Sequence, residues 1–354
     1  MAKKIVPAGL LAVALLVAAA APAAAKTDEV ALVGELTLPH AMEFDGTTVG
    51  GLSGIDYNPR TGEWVLISDD RSDRQPARFY TARFDGGEFE LTATLPLLRP
   101  DGTTYPKGTV DPEDARWDPW SGTIWWTSEG ERAAQLIDPS ISSVGAGGHF
   151  SNELPLPANL RMEPTAGPKQ NEVLEGLTFA AGGSRVVTAM EGPLLQDGES
   201  PTVEHGALSR ITVQSRSGWV QGQYAYPLDP VFAESPTGGF ANNGVSALLA
   251  DRDGYLVMER SFVTGVGNSI RIYRITTRGA TDVQHVSSLQ DAKVRPVRKE
   301  LVADLADLGL STIDNVEGMT WGPRLPDGRR SLVLVSDDNF APNQTTQIIT
   351  LSVR

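Results

Sequence analysis

The amino-acid sequence predicts an all-β protein, a β-propeller with five to six four-stranded blades whose N- and C-terminal strands close the ring. Three observations support this fold class: a segment of paired strands that recurs five times, strand and turn signals through most of the intervening chain, and a strand-like segment at each end. Repeats of about 60 to 70 residues accommodate four strands and their loops, so the spacing favours propeller blades over the coils of a solenoid.

Each repeat begins with a small or acidic residue and an apolar run, crosses a turn and continues into a β-rich strand with a polar, usually acidic end. In the first repeat these parts are residues 53–57, the turn at 58–62 and residues 64–70. The five repeats begin at Ser53, Glu113, Glu175, Ser246 and Glu317. In a radial arrangement equivalent positions converge on one axis, so the acidic strand ends should form a ring.

Further strands are predicted between these repeats, where glycine and proline separate short runs of β-branched and aromatic residues. The predicted pairs are residues 78–84 with 88–95, 207–213 with 221–226, and 269–275 with 282–289. These pairs bring each blade to about four strands. The longer intervals, 195–245 and 262–315, leave room for a sixth, degenerate blade.

The two ends of the folded chain both alternate in the manner of strands, at residues 29–38 and 347–353. An N-terminal strand that completes the C-terminal blade would close the ring and remove a free sheet edge. One helix is predicted, over residues 297–308, because its apolar residues recur at helix-like spacing before Gly309.

Residues 1–25 are predicted to be a signal peptide. A positive start, an apolar core at 10–17 and small residues at 23–25 have the layout of a bacterial export signal. A membrane anchor is the alternative, but Pro22 interrupts the alanine-rich run, and no later stretch is apolar for long enough to span a bilayer. Residues 26–354 are therefore predicted to form a single propeller domain that is periplasmic or secreted.

Composition restricts both the partners and the chemistry. The chain has 44 acidic and 30 basic residues, and its net charge of −14 argues against nucleic-acid or anionic-membrane partners, whose phosphates would be repelled. The absence of cysteine excludes a thiol nucleophile and leaves packing and ions to hold an exported fold. The four histidines show no recurrent pairing, so a zinc site is not expected.

The acidic strand ends are predicted to meet on one face of the propeller and to bind Ca²⁺. Because antiparallel neighbours begin and end side by side, each repeat start should lie near the end of its second strand. The expected neighbours are Glu113 with Glu129, Glu175 with Glu191, Glu317 with Asp337, and Ser53 with Asp69 and Asp70. Ca²⁺ takes six to eight oxygen ligands and keeps clustered carboxylates ionised. The predicted ligands are Glu113, Glu175, Glu317, Asp69, Asp70, Asp337 and Asp338.

Turn chemistry is the alternative explanation for acidic residues between strands, because Asp and Asn side chains bond to the local backbone. This interpretation is preferred for Asn58, Asp251, Asp253 and Asp327. It stays open for the three repeat-start glutamates, although Glu is a poor turn residue and recurs here at one position of the repeat.

Positive side chains are expected near the same face of the propeller: Arg71, Arg74, Arg78, Lys107, Arg132 and Arg260. An arginine can hold a phosphate or carboxylate through two parallel hydrogen bonds, whereas ordinary ion pairing with the acidic surface is the alternative. Arg71 and Arg260 are predicted to bind an anion. Arg260 is the stronger candidate, because it ends a strand where the other repeats carry acid.

Six of these segments together resemble the phytase-like family, whose members are described as having esterase-like activity of phytase. The segments are residues 51–56, 111–114, 174–177, 258–262, 315–319 and 336–340. The resemblance extends over about residues 32–353 and implies an exported β-propeller that hydrolyses phosphoesters or other esters. Ser246 stands where the family usually has an acidic residue, which implies no carboxylate from the fourth blade.

The leading hypothesis is an exported, metal-dependent hydrolase of a small anionic ester, such as a phosphoester. The predicted catalytic residues are Glu113, Glu175, Glu317 and Arg260, with a metal-activated water as the attacking group. The main alternative is a non-catalytic, calcium-stabilised propeller that acts as a binding or envelope module. A calcium-dependent lactonase is a third possibility, and it would need a His or Asp base near the metal. No G-x-S-x-G nucleophile elbow is present.

Overall fold

The computed structural model describes residues 30–354, so the predicted signal peptide lies outside the described residues. Twenty-two strands, numbered in chain order, and five short 3₁₀ helices make up the regular structure of this part of the chain. The helices are Ala146–Gly148, Ala158–Leu160, Ala181–Gly183, Leu195–Asp197 and Leu305–Asp307. Within the same residues, no helix has the length and apolar character that a membrane span requires.

Twenty of the strands form five four-stranded antiparallel sheets, the blades of a propeller. Strand β1 is Val30–Thr37, and β2 (Met42–Phe44) pairs with β3 (Thr47–Val49) as a separate hairpin. Blade 1 contains β4 (Leu52–Tyr57), β5 (Trp64–Ser68), β6 (Arg78–Phe84) and β7 (Phe89–Pro96). Blade 2 contains β8 (Pro112–Trp117), β9 (Ile124–Ser128), β10 (Ser140–Val144) and β11 (Phe150–Glu153).

The other three blades follow the same order along the chain. Blade 3 contains β12 (Leu174–Ala180), β13 (Arg185–Met190), β14 (Leu208–Ser215) and β15 (Val220–Pro227). Blade 4 contains β16 (Ala241–Asp251), β17 (Gly254–Val263), β18 (Gly267–Thr276) and β19 (Arg298–Asp304). Blade 5 contains β20 (Asn315–Trp321), β21 (Arg330–Asp337) and β22 (Gln347–Val353), and β1 is its fourth strand.

The ring closes as the sequence predicts. Strand β1 pairs antiparallel with β22, from Val30 opposite Val353 to Thr37 opposite Gln347. Residues from the start of the described chain thus complete the last blade, and this pairing covers the edge that β22 would otherwise expose. The propeller has five blades, and the intervals with room for a sixth hold loops and the long strands of blade 4.

Two strand and helix predictions in blade 4 are wrong. Residues 297–308, predicted as a helix, form β19 and a single 3₁₀ turn, because β19 pairs with β18 from Arg271–Asp304 to Thr276–Arg298. Residues 282–289, predicted as the outer strand, form a loop with one isolated bridge, Tyr224 to Asp282. The open edge of β18 can accept only one partner, and the pairing that satisfies its backbone groups overrides local helix spacing.

The first strand of each blade lies at the propeller axis. Strands β4, β8, β12, β16 and β20 contact one another in sequence around the ring. Each carries a β-bulge near its start, at Ser53, Glu113–Asp114, Glu175, Ser246 and Glu317. A bulge inserts one extra residue and redirects its side chain, and bulges are common next to functional sites. The starts of the sequence repeats are therefore bulged residues at one level of the axis.

The glycine that follows the repeat-start residue in three repeats allows the inner strands to approach closely. A Cβ atom at Gly176 would lie 2.7 Å from Cβ of Leu248, and one at Gly54 would lie 2.8 Å from the carbonyl oxygen of Glu113. Both distances are shorter than van der Waals contact. The Glu-Gly pair in the sequence thus combines a redirected carboxylate with tight packing at the axis.

A buried arginine closes the axis below this level. Arg116 is 2 % exposed, and its guanidinium donates to one main-chain carbonyl from each inner strand and to the Asp114 carboxylate. The five carbonyls belong to Ile55 (2.6 Å), Ala115 (3.4 Å), Leu177 (2.6 Å), Leu248 (3.3 Å) and Met319 (3.0 Å). These residues occupy equivalent positions two residues after each bulge. Apolar cores between adjacent blades hold the rest of the ring together.

Candidate functional site

A cavity of about 580 Å³ lies at the axis on the side of the bulges. Its charged lining consists of eight carboxylates and two guanidinium groups: Asp69, Asp111, Glu113, Glu129, Glu175, Glu191, Glu317 and Asp337, with Arg71 and Arg260. Eight carboxylates in one buried cavity cannot all be ionised when only two guanidinium groups compensate their charge. The cavity is therefore the candidate functional site.

Two rows of strand residues supply most of these carboxylates. Glu113, Glu175 and Glu317 are the bulged residues of inner strands, whereas Glu129 and Glu191 directly follow the second strands of their blades. Register places the first strand beside the second, with Pro112 opposite Ser128 and Leu174 opposite Met190. The sequence prediction that repeat starts and strand ends meet on one face is confirmed for these blades.

Blade 1 contributes the carboxylate of Asp69 to the cavity, and this is possible because the residue beside it in space, Gly51, is a glycine. Gly51 has a φ of +60°, and a Cβ atom there would lie 2.0 Å from Oδ1 of Asp69. Glycine adopts this left-handed conformation without strain and leaves the space that the carboxylate occupies. Ser53, the bulged residue of this blade, instead donates a weak hydrogen bond of 3.4 Å to the carbonyl of Pro112.

Two groups of three carboxylates are close enough to bind metal ions. Asp111, Glu113 and Glu129 form one group, and Glu129, Glu175 and Glu191 form the other, with one oxygen of each residue within 4.8 Å of the others. Glu129 belongs to both groups. An all-oxygen donor set of this kind suits hard cations such as Ca²⁺ and does not suit zinc, which prefers nitrogen and sulfur. The residues present thus fit the ion that the sequence predicts.

Burial and mutual repulsion disfavour the charged forms of these groups. Burial raises the pKa of Asp111 to about 7 and that of Glu191 to about 8, although Arg71 and Arg260 respectively oppose the shifts. Burial and the neighbouring carboxylate of Glu191 hold the pKa of Glu175 well above its usual range. No hydrogen bond engages the Glu175 carboxylate within residues 30–354, where its exposed fraction is 8 %. A bound cation would lower these raised pKa values, because it favours the ionised carboxylates.

Both arginines that the sequence predicts as anion-binding residues line the cavity. Arg260 forms ion pairs with Glu191 at 3.1 Å and Glu317 at 3.5 Å. Arg71 forms ion pairs with Glu131 at 2.5 Å and Asp111 at 3.3 Å. The Nε atom of each arginine is buried and makes no hydrogen bond to another described residue.

The register explains why an arginine stands in blade 4 where other blades have acid. Val245 lies opposite Glu259, so Arg260 is the structural equivalent of Glu129, Glu191 and the other residues that follow the second strands. The blade also lacks a bulge carboxylate, because Ser246 occupies that position, as the sequence implies. Glu259 points elsewhere and binds Tyr226 and Lys299, each at 2.6 Å.

Two of the predicted metal ligands do not line the cavity. Asp70 binds Arg78 at 2.7 Å and accepts hydrogen bonds from the backbone N–H groups of residues 73–75. Asp338 accepts from the N–H groups of Gly51 and Phe340, both at 3.0 Å. Consecutive residues of an extended segment point to opposite sides, so only one member of each Asp-Asp pair can reach the cavity.

The remaining predicted cations also lie outside the cavity. Arg74 lies over the ring of Phe340, Arg78 pairs with Asp70, and Lys107 pairs with Asp73 at 3.4 Å. Arg132 donates to main-chain carbonyls of residues 163–168. Of the residues interpreted as turn formers, Asp251 differs from that prediction: it is a buried strand residue that pairs with Arg274 and Arg330.

The sequence analysis did not identify Asp111 as a cavity residue, and it did not predict that Glu129 belongs to both groups of three carboxylates. Asp111 precedes the repeat start by two residues, and only the close approach of the Arg71 and Glu113 side chains brings it into the cavity. The asparagine-rich part of the lining, Asn171, Asn242, Asn268 and Asn315, was also not foreseen. The signal for Asp111 is the short acidic run at 111–114, where three carboxylates flank one bulge.

Blade 4 adds a wall on one side of the cavity. Its first three strands are 11, 10 and 10 residues long, longer than those of the other blades. Asn242, Phe262 and Asn268 lie opposite one another in this extension, and the ring of Phe240 lies 6.3 Å from that of Phe262. Phe240 is 65 % exposed and lines the cavity with Phe262. The site therefore has an acidic floor and one partly aromatic wall.

A family model described as phytase-like, "Esterase-like activity of phytase", matches residues 47–340, which include blades 1 to 4, the two inner strands of blade 5 and all the carboxylates described above. The chain belongs to the phytase-like family. None of the curated proteins compared with this chain matches it. The family match confirms the resemblance predicted from the sequence segments.

Solved structures with a similar arrangement include enzymes of several kinds. An oxidoreductase (glucose dehydrogenase) from Thermus thermophilus is 15 % identical, with a TM-score of 0.39 over 85 % of this chain and 83 % of its own. A thermostable family-43 glycoside hydrolase is 12 % identical, with a TM-score of 0.48 over 86 % and 93 %. An alpha-L-arabinofuranosidase from Lactobacillus brevis is 9 % identical, with a TM-score of 0.46 over 85 % and 91 %. These distant similarities carry no information about the chemistry of the phytase-like chain.

Proposed function

We propose that this protein is an exported, Ca²⁺-dependent hydrolase of a small anionic ester, such as a phosphoester. The observation that carries the proposal is the pair of three-carboxylate groups that share Glu129 in a cavity on the propeller axis. Membership of a family described by esterase-like activity supports a hydrolytic reaction. The export of the chain rests on its first 25 residues, whose layout is that of a cleaved bacterial signal.

Ca²⁺ ions would be held by Asp111, Glu113 and Glu129 and by Glu129, Glu175 and Glu191. When bound, the metal supplies a Lewis acid that polarises the ester oxygen and lowers the pKa of a water. Glu317, Asp337 and Asp69 complete the acidic floor.

Arg260 and Arg71 would position the anionic part of the substrate. Each guanidinium lines the cavity, and its Nε atom faces a carboxylate at ion-pair distance, Asp111 at 3.3 Å for Arg71 and Glu317 at 3.5 Å for Arg260. Their ion pairs with Glu191 and Asp111 fix the direction of each guanidinium before substrate binds. Fixed donors of this kind stabilise developing negative charge without a reorganisation step.

The charge of the cavity disfavours a polyanionic substrate more strongly than a substrate with one anionic group. Eight carboxylates and two guanidinium groups give a net charge of −6 when all are ionised, so two divalent ions leave the site negative. A polyanionic substrate would be repelled by this residual charge. Phe240 and Phe262 provide an apolar surface beside the carboxylates. An aryl phosphomonoester combines one anionic group with an apolar ring and suits both parts of the site.

The proposal is tested by steady-state hydrolysis of 4-nitrophenyl phosphate and 4-nitrophenyl acetate with Ca²⁺ and with EDTA. The wild type should turn over the anionic 4-nitrophenyl phosphate only with Ca²⁺, and turnover of the neutral acetate alone would contradict the proposal. Glu129→Gln should remove at least 90 % of the activity, because it removes one ligand from both groups, an effect of about 1.4 kcal/mol or more. The matched control is Glu163→Gln, an exposed glutamate outside the cavity, which should retain full activity. Metal-independent turnover, or none with either ester, would contradict the proposal.

A non-catalytic, calcium-stabilised binding or envelope module is the second candidate. It is favoured by one observation: none of the four histidines lines the cavity, so a neutral-pH base of the usual kind is missing. The same observation weighs against a lactonase that depends on a histidine. The binding module would be favoured if no ester were turned over and if Ca²⁺ raised the melting temperature of the wild type and of Glu163→Gln by more than that of Glu129→Gln.

A further inference from the structure

We propose that a second cavity, on the outer edge of blade 3, binds a neutral saccharide. This cavity has a volume of about 740 Å³, within the range of small-molecule sites. Its side chains include Asn159, Trp219, Gln221, Gln223, Gln284 and His285, and it shares no residue with the acidic cavity. The proposal is therefore independent of the hydrolytic function.

Trp219 provides an exposed flat surface at one side of this cavity. Its side chain is 76 % exposed, at the tip of the hairpin that joins β14 to β15. The turn holds its backbone in place, because the N–H of Trp219 donates to Oγ of Ser215 at 3.1 Å and the N–H of Gly218 to the carbonyl of the same serine at 2.9 Å. An exposed indole face matches the C–H face of a pyranose ring, an amphipathic use typical of tryptophan at binding surfaces.

A buried arginine organises the polar groups beneath the cavity. Arg210 forms a two-bond ion pair with Asp197, at 2.6 and 2.8 Å, and both side chains have no exposed area. The same guanidinium donates to Oε1 of Gln223 at 2.7 Å, and Nδ2 of Asn159 donates to that oxygen at 2.7 Å. The network fixes Asn159 and leaves its Oδ1 without a hydrogen bond within the described residues.

Arg210 also anchors the opposite wall of the cavity. It donates to the main-chain carbonyls of Val283 at 3.3 Å and Val286 at 3.1 Å, on either side of Gln284 and His285. The loop that carries these two side chains is thus tied to the same buried pair as Asn159. Two walls held by one guanidinium are organised before a ligand arrives, which lowers the entropic cost of binding.

The chemistry of the lining selects an uncharged, hydroxyl-rich ligand. The cavity has no Asp, Glu, Lys or Arg side chain among its lining residues, although the chain has a net charge of −14. An anionic or cationic ligand would find no partner of opposite charge there. Carboxamides offer both donors and acceptors, as sugar hydroxyls require. Gln221 is exposed, and no hydrogen bond occupies its amide within residues 30–354.

A peptide strand is the other ligand that the outer edge of a sheet could accept. The edge of β15 is unsuited to one. In the pairing of β14 with β15, Val213 lies opposite Gly222 and Gln214 lies opposite Val220. Gln221 is therefore a bulged residue without a partner on β14, and it interrupts the ladder. Further along the edge, the carbonyls of Gln223 and Ala225 already accept from Val283 and Val297. Bulges and covered edges prevent strand addition. Recognition at this cavity therefore depends on side chains.

The test is calorimetric titration of the full protein, in EDTA, with neutral hexasaccharides of α-1,4-glucose, β-1,4-glucose and β-1,4-xylose, and with charged hexagalacturonate. At least one neutral probe should bind, and hexagalacturonate should not. Trp219→Ala and Gln221→Ala should each weaken binding about tenfold, which corresponds to about 1.4 kcal/mol. Trp120→Ala removes another exposed indole, 57 % exposed, outside this cavity and should leave the affinity within about twofold.

Failure of all three neutral probes would overturn the proposal, as would equal losses in the Trp219 and Trp120 variants. Both indoles are largely exposed, so both variants should fold; Trp120→Ala removes only surface contacts, a hydrogen bond of 2.7 Å to the carbonyl of Gly182 and the packing against Arg216. Retention of ester turnover in Trp219→Ala is expected whatever the saccharide result, because the two cavities share no residue.

Discussion

Arg260 occupies in blade 4 the position that Glu191 occupies in blade 3, and the two side chains form an ion pair of 3.1 Å between these neighbouring blades. One replacement within the repeat thus converts a uniform acidic ring into a site with a built-in cation. The exchange places positive charge beside Glu317 as well, at 3.5 Å. Without it, the acidic cavity would hold carboxylates from four blades and only Arg71 to balance them.

Replacement of this cation should make the protein more dependent on metal. In Arg260→Gln, the buried Glu191 and Glu317 lose their partner, and the metal-free protein should lose up to about 3 kcal/mol of unfolding free energy. Glu191 and Glu317 become partly protonated in the variant, and this limits the loss of unfolding free energy. Ca²⁺ should therefore raise the melting temperature of the variant by more than it raises that of the wild type, as measured by scanning calorimetry. An equal calcium effect in both proteins would show that Arg260 does not compensate the acidic cavity.

The metal-free protein should become less stable as pH rises from about 4 to about 8. The pKa values of Asp111, about 7, and Glu191, about 8, are raised mainly by burial, so these groups are protonated in the folded state at pH values where the unfolded chain has lost its protons. A raised carboxyl pKa contributes stability that is complete below the unfolded pKa and is lost as pH rises through the folded pKa. Urea unfolding in EDTA at pH 5, 6, 7 and 8 measures this slope.

Saturating Ca²⁺ should remove most of that slope, because ligands bound to a cation remain ionised. Calcium affinity should then increase between pH 6 and pH 8, with protons released on binding, and calorimetry in two buffers of different ionisation enthalpy would count them. A calcium affinity that is independent of pH over this range would place the ion away from Asp111 and Glu191.

Removal of the axial arginine should destabilise the whole ring. Arg116→Met leaves the Asp114 carboxylate without its partner and the carbonyls of Ile55, Leu177 and Met319 without their donor, all of them buried. The expected loss is about 3 to 5 kcal/mol of unfolding free energy, as for other broken buried ion pairs. Denaturant unfolding measures it, with the exposed Arg60→Met as a control that should change by less than about 0.5 kcal/mol. A loss of that small size in Arg116→Met would mean that the five strands do not need the shared donor.

Truncation of the aromatic wall should affect substrate binding more than chemistry. In Phe240→Ala the KM for 4-nitrophenyl phosphate should rise about tenfold with little change in kcat, because the ring contacts the apolar part of the substrate in both the ground and transition states. The KM for glycerol phosphate, which has no ring, should not change. Phe232→Ala, a partly exposed phenylalanine outside the acidic cavity, serves as the control. Equal increases in KM for both substrates would contradict an aryl-binding wall.

The repeat determined the propeller class and the position of Glu113, Glu175 and Glu317, and the strand-like ends determined the closure of the ring, because strand period and turn spacing are local properties of a chain. The sequence also predicted that blade 4 contributes an arginine and no carboxylate, because Ser246 and Arg260 stand at positions where other repeats have acidic residues. The choice of outer strand could not be predicted, since residues 282–289 and Arg298–Asp304 both contain β-forming apolar residues and only the pairing with β18 distinguishes them.

Tertiary structure also decided which acids face the axis. Asp69 and Asp337 line the cavity whereas Asp70 and Asp338 bind Arg78 and backbone N–H groups, and each pair is adjacent in sequence. Their composition is identical, so no local pattern distinguishes the members of a pair. The distinction arises from contacts across the ring, such as the N–H of Gly51 on Asp338, between residues 287 positions apart. The direction in which a side chain points at a strand end depends on residues that folding brings together. The formation of the strand depends on residues that are neighbours in the chain.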